Sequence, residues 1–282
     1  MNVRGSSSLL RIGLAMGAVL VLVAVLGPSL APYDPTAPVS PQLAEPTPPA
    51  APFYLGTDDL GRDVLSRLLY GARISLLVGL VAMAVTMVIG AAVGLAAGYF
   101  GGVVDLVLMR ATDVMLAFPG LLLAVALVAV LRPSVWTIFV VIGLVSWTGV
   151  ARVIRSEVLS LRERDFVLGA HALGARHGRV LGRHVLPNVL PTILVIAALS
   201  TSGTILLDAG LSFLGIGVPP PTPTWGRMIQ EATAYYRVAP WLMLFPGAAV
   251  LYAVLTFNFI AYGLAGDAFR LNGRASRQIG AC

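Results

Sequence analysis

Residues 152–188, RVIRSEVLSLRERDFVLGAHALGARHGRVLGRHVLPN, decide how the rest of this chain is read. Arg152, Arg155, Arg162, Arg164, Arg176, Arg179 and Arg183 lie in it, together with all three histidines. At roughly 2.5 kcal/mol per arginine at a bilayer centre, burying the segment in lipid would cost on the order of 17 kcal/mol. It must lie in water or against another protein.

Everything around it is apolar. The chain of 282 residues is 57% hydrophobic and 11% charged, against roughly 25% charged residues in a soluble domain. That marks an integral membrane protein. Apolar runs of about 20 residues, without polar alternation, make it all-α rather than a barrel. The single cysteine, Cys282, excludes a disulfide framework. All 19 basic residues are arginine. Without a lysine the chain cannot hold a Walker A loop, so any ATP must be used by another polypeptide. The net charge of +6 is explained by membrane topology, since the arginines sit between apolar spans; no nucleic-acid partner is expected.

Working outward, residues 12–30 form an apolar run too long for a signal-peptide core and without a clean cleavage site, hence an uncleaved first span within residues 1–31. Residues 32–72 hold a proline-rich extended loop, then an amphipathic surface helix. Thr57 or Asp58 is its cap, and Val64, Leu65, Leu68 and Leu69 share its apolar face. The remaining spans are 74–97, 116–131, 135–150, 189–214 and 241–264, within a core of 73–265, followed by a tail at 266–282. Gly90, Gly94 and Gly98 recur every four residues and form a smooth stripe for helix packing. Asp105, Arg110 and Asp113 make the stretch before the third span interfacial. Trp136 and Trp147 bracket the fourth as headgroup-level indoles would.

Six spans put both termini and the arginine-rich segment on one side of the membrane. That side carries Arg4, Arg11, Arg110, the seven arginines of the segment, Arg270, Arg274 and Arg277. The other carries Arg62, Arg67, Arg73, Arg132, Arg227 and Arg237. The positive-inside rule then makes the segment cytoplasmic. Within it, 157–172 and 176–186 have helical spacing, interrupted by Gly174 and ended by Pro187-Asn188. Phe166, Gly169, Ala170 and Leu173 form a shallow apolar knob suited to a partner's groove.

These residues resemble the cytoplasmic EAA loop of ATP-binding-cassette importer permeases. Leu168-Gly169-Ala170 stands for the EAA triplet, Gly174 for the motif glycine, and Val185-Leu186-Pro187-Asn188 for its end. GTDDLGRDVLSRLLYGARISLLVGL (56–80), GYFGGVVDLVLMRATDVMLAFPGLLLA (98–124), AGLSFLGIGVPPPTPTWGRMI (209–229) and APWLMLFPG (239–247) resemble the C-type subunit of the dipeptide/oligopeptide/nickel permeases. The resemblance implies a type I importer permease fold of six transmembrane helices with cytoplasmic coupling helices. It implies a second, homologous permease as heterodimer partner, two ATPase subunits carrying ATP and magnesium, and an extracytoplasmic solute-binding protein received by loops 31–72 and 217–240. No cofactor belongs to this chain. Phe166, Gly169, Ala170, Leu173, Gly174, Pro187 and Asn188 are the expected ATPase-coupling residues. Leu168 replaces the motif's glutamate and His171 an arginine common after it, so docking is expected by shape more than by charge. Dipeptides, longer peptides, metal chelates and haem-like solutes all remain compatible as cargo.

Other chemistry is thinly represented. The histidines, six and seven residues apart, put only His177 and His184 near one helical face, and no metal site is expected. No catalytic motif appears. Asp208 is the sole acid inside a span; it lines the translocation path, pairs with an arginine near the outer face, or sits in interfacial water. Met115 and Phe118 are candidates for the same path, with Pro119 bending the helix beside them. A membrane-embedded enzyme or a stand-alone secondary transporter is the alternative, but the latter calls for several intramembrane acids.

Overall fold

The computed structural model describes residues 3–39, 45–132 and 134–279, with side chains over 8–266 of these. Cys282 and the side chains of Arg4, Arg270, Arg274 and Arg277 lie outside the described part. Ten α-helices are described: α1 (Val3–Leu30), α2 (Val64–Phe100), α3 (Gly102–Leu116), α4 (Gly120–Leu131), α5 (Val135–Arg162), α6 (Asp165–Ala172), α7 (His177–Val180), α8 (Leu186–Phe213), α9 (Trp225–Ala232) and α10 (Trp241–Ile279). A π-helical turn, Leu181–Val185, joins α7 to α8.

Five helices are long and apolar enough to cross a membrane, and a sixth crossing exists if α3 and α4 count together. The third span is therefore not the straight helix expected at 116–131. Helix α4 has 12 residues, about 18 Å, which falls short of a hydrocarbon core of about 30 Å. It meets α3 at 85°. Pro119 occupies the N-cap of α4, where its ring excludes a continuous helix through the preceding turn.

Helix α2 is the axis of the molecule. Its 37 residues contain no proline and extend about 55 Å. The short surface helix expected before the second span is the first part of α2, and its cap is Asp63 rather than Thr57 or Asp58. The Asp63 carboxylate accepts the Ser66 N–H at 2.8 Å and the Ser66 hydroxyl at 2.7 Å. Val64 packs with Met228, Ala232, Ala239 and Leu242, so protein rather than lipid covers that apolar face.

Helix α5 is the main neighbour of α2. A β-carbon added at Gly90, Gly94 or Gly98 would come within 2.9 Å of Trp147, Ala151 or Arg155 backbone carbonyl oxygens. The stripe is therefore the contact surface between the two helices, where only hydrogen side chains permit that spacing. Helix α8 also packs against α2 and touches α5, and α1 packs against α10 and α2. Helix α10 continues beyond 264 to Ile279, through the residues expected to form a tail.

Pro187 does not end the arginine-rich segment's second helix. The chain runs helically from His177 through the π turn into α8. The wider π turn precedes the residue that lacks an N–H, and the Asn188 amide donates to the His184 carbonyl at 2.6 Å. The π register carries the helix past Pro187, and the Asn188 amide adds a bond to a carbonyl of that turn.

Candidate functional site

The arginine-rich end is built in three steps. First, α3 anchors two of the seven arginines. Asp113 accepts from Arg152 at 2.7 Å and Asp105 is paired with Arg155. Second, the chain breaks at Glu163 and Arg164 and restarts as α6, whose first-turn Asp165 suits a helix N-terminus. Third, Gly174 turns the chain at φ +80°, a backbone state that favours glycine. Val167 and Val180 then drop into the core beside Val158, Leu161 and Val185, which fixes α6 and α7 to the ends of α5 and α8.

What stays outside is one surface. Phe166, Gly169, Ala170, Leu173 and Gly174 border a shallow groove with Ala175, Arg179 and His184. Leu173 is 90% exposed and Phe166 42%, an arrangement without reward in water for a lone protein. Leu168, at the position of the motif's acid, is 53% exposed, and Glu163 and Asp165 are exposed beside it. Pro187 and Asn188 belong to the start of α8 and are exposed outside that groove.

The histidines pair otherwise than spacing suggests. His171 and His177, not His177 and His184, come together, with ring centroids 5.4 Å apart. The turn at Gly174 folds α7 back beside α6, which helical periodicity cannot express. The Tyr99 hydroxyl sits between them, 3.2 Å from His171 Nε2 and 3.1 Å from His177 Nδ1. Among the described residues no group of three or more His, Cys, Asp or Glu is placed to hold a metal.

The opposite end of α2 holds a feature that residue-by-residue reading of the sequence missed. Asp58 accepts from Arg62 at 2.7 Å and is paired with Arg67, while Glu231 on α9 accepts from Arg62 at 3.1 Å, Arg67 at 2.7 Å and Arg227 at 2.9 Å. The Arg67 side chain is 2% exposed. Spacings of four between Asp58 and Arg62 and between Arg227 and Glu231 were the available signal. Asp59 borders the knot, and burial, then the neighbouring Asp58 charge, hold its carboxyl above the usual range.

Asp208, expected to line the path, pair with an arginine near the outer face or sit in interfacial water, is buried inside this subunit. It is 2% exposed, on the α8 face that carries Thr204, whose hydroxyl donates to the Gly79 carbonyl at 2.8 Å. Gly79 and Gly226 let α2 and α9 close over that side of α8, so water does not reach it. Asp208 Oδ1 and Ser212 Oγ have no hydrogen-bond partner among the described residues. Met115 and Phe118 do lie together at the elbow between α3 and α4, with Phe118 56% exposed.

Comparison with known proteins agrees with this architecture. Residues 90–266, more than half of the chain, match the family "Binding-protein-dependent transport system inner membrane component". The dipeptide transport system permease protein DppC of Alkalihalophilus pseudofirmus is 40% identical over 259 residues, covering 90% of this chain and 83% of that one. The di/tripeptide transport system permease protein DppC of Pseudomonas aeruginosa is 42% identical, covering 89% and 84%. The glutathione transport system permease protein GsiD of Pectobacterium atrosepticum is 40% identical, covering 77% and 72%. With its broken third span, exposed arginine-rich loop and these likenesses, the chain belongs to the family of inner-membrane permease components of binding-protein-dependent transport systems.

Proposed function

We propose that this chain is one transmembrane subunit of an ATP-driven importer for small peptides. Its relatives are named for dipeptides, di- and tripeptides and glutathione, which share a short peptide backbone. The second half of the pore is a homologous permease, and energy comes from two ATPase subunits, since a chain without lysine has no Walker A loop. The solute is delivered by a binding protein. The arginine excess puts the α6–α7 loop in the cytoplasm and the Asp58–Glu231 end of α2 outside.

One observation carries this reading: the exposed Phe166, Gly169, Ala170, Leu173 and Gly174 surface at the tip of the charged segment. It is the ATPase seat. Small residues around one aromatic ring fit a groove by shape, and Leu168 makes no ionic contribution. ATP-driven closure of the ATPase pair moves this seat, and the helices behind it move with it.

The test is purification and uptake. Ala170→Trp or Gly174→Trp is expected to release the ATPase and abolish peptide uptake, with the permease still in the membrane. An ATPase that stays bound to both forms, with uptake intact, would remove the docking assignment. In a form lacking Cys282, cysteines at Ser160 and Thr222 are expected to label from opposite faces of the membrane. Labelling from one face would overturn the topology.

A further inference from the structure

We infer that Tyr99 is a positioning residue for transport: its hydroxyl, held by His171 and His177, couples movement of the α6–α7 loop to α2. The inference rests on the ATPase-docking reading above and adds the route by which the docked loop moves the membrane helices.

The geometry begins with where the three residues sit. Tyr99 is one residue from the end of α2 and 8% exposed. His171 is in the last turn of α6 and His177 is the first residue of α7, on opposite sides of the turn at Gly174. One phenol oxygen therefore grips both limbs of the loop. The rings are packed as well as bonded. Tyr99 stacks on His171 at 6.2 Å and meets His177 edge-on at 5.8 Å, and Phe100 adds a further contact with His177 at 6.2 Å. If the loop hinged at Gly174 alone, at least one of these contacts would have to open.

Hydrogen-bond capacity supports a mechanical role rather than a pH switch. A phenol has one donor and two acceptor sites. Between neutral imidazoles it donates to one nitrogen and accepts from the other. Between two imidazolium rings it accepts twice and turns its proton toward the His177 carbonyl oxygen, 3.4 Å away. Arg162 and Glu163 border the same recess, so neighbouring charges of both signs face the pair. The clasp is satisfied in either state.

The alternative routes from the loop are softer. Helix α5 reaches α6 through the break at Glu163 and Arg164. Helix α8 leaves the loop through a π turn, with Pro187 and Pro191 in its first turns. Helix α2 has no proline or break, and the guanidinium of Arg162 donates to the Gly98 carbonyl at 3.3 Å, closing its end. Its far end carries Arg67, bonded to Glu231 of α9. A displacement gripped at Tyr99 is thus delivered through Arg67 to α9, about 48 Å of helix away.

The experiment uses the whole importer in lipid nanodiscs, with its binding protein loaded with dialanine or trialanine. Three quantities are read: ATPase retained on the permease, stimulation of ATP turnover by loaded binding protein, and peptide moved per ATP in proteoliposomes. Tyr99→Phe keeps the ring and removes the oxygen. It is expected to retain the ATPase while stimulation and peptide per ATP fall about five- to tenfold, the scale of losing two hydrogen bonds from one of two states. His171→Leu with His177→Leu should reproduce that loss. His171→Gln with His177→Asn, which keep polar nitrogens, should recover most of it. Unchanged stimulation and peptide per ATP in Tyr99→Phe would overturn the clasp, as would loss of the ATPase itself. The docking reading fails on a different measurement, retention of ATPase by Gly174→Trp.

Discussion

The two ends of α2 are both tied down by polar side chains, but with opposite chemistry. At the proline-rich end, Arg62 and Arg67 share Asp58 and Glu231 in a nearly dry knot. At the arginine-rich end, a single phenol is held between two imidazoles, one of them on an exposed residue. A buried charge cannot lose its partner without a large desolvation penalty, so the first joint resists opening. A hydrogen bond beside an exposed ring exchanges for water at little net cost, so the second can slip or re-form. The same helix is thus clamped at α9 and gripped at the loop, as a lever needs.

The largest break in that comparison is Arg67→Leu. It leaves Asp58 and Glu231 short of one cation in a buried site and is expected to cost about 3–5 kcal/mol, seen as a lower thermal midpoint in detergent. Asp58→Asn added to Arg67→Leu should cost less than the two single changes summed, because the partners are coupled. Next comes Gly94→Leu. A β-carbon there meets the Ala151 carbonyl at 2.6 Å, and wedging α2 from α5 should cost about 1–3 kcal/mol, with folded yield as readout.

Tyr99→Phe sharpens the contrast from the other end. Its expected stability loss is about 1 kcal/mol, far below that of Arg67→Leu, although the expected fall in transport per ATP is large. A Tyr99→Phe protein as unstable as Arg67→Leu would show the two joints to be the same kind of fastening. The smallest effect belongs to Asp59→Asn. A carboxyl held above its usual range favours folding while protonated and loses that contribution as pH rises through its folded pKa. The wild-type midpoint should therefore decline as pH rises above about 4, the ordinary carboxylate range. The decline should be shallower in Asp59→Asn, with a slightly higher midpoint at pH 7.

Much of the architecture was legible because lipid imposes a simple grammar. Long apolar runs mark spans, and a concentration of arginine marks what stays outside them. The Phe166–Gly174 surface was legible too, since small residues beside an aromatic ring at helical spacing are visible in one dimension. The elbow at Pro119 was half legible: a proline announces a bend, but 85° between α3 and α4 depends on what each helix packs against. That the surface helix from Val64 runs unbroken into the second span was hidden, because Arg62 and Arg67 look like residues of a water-exposed helix until Asp58 and Glu231 neutralise them. Pro187 misled for a related reason, as a π turn and the Asn188 amide absorb what would end an isolated helix.

What the residues 152–188 determined unaided was their own exclusion from the membrane: seven charges repel lipid whatever the neighbouring helices do. Composition likewise determined that any Walker A chemistry would need a second polypeptide, because no packing can create a missing lysine. Only the tertiary structure decided how that loop is held. Tyr99 meets His171 and His177 across more than 70 residues of chain, and Glu231 meets Arg67 across 164. Such contacts are chosen by helix packing, in which glycines set how closely two helices approach and so which side chains meet.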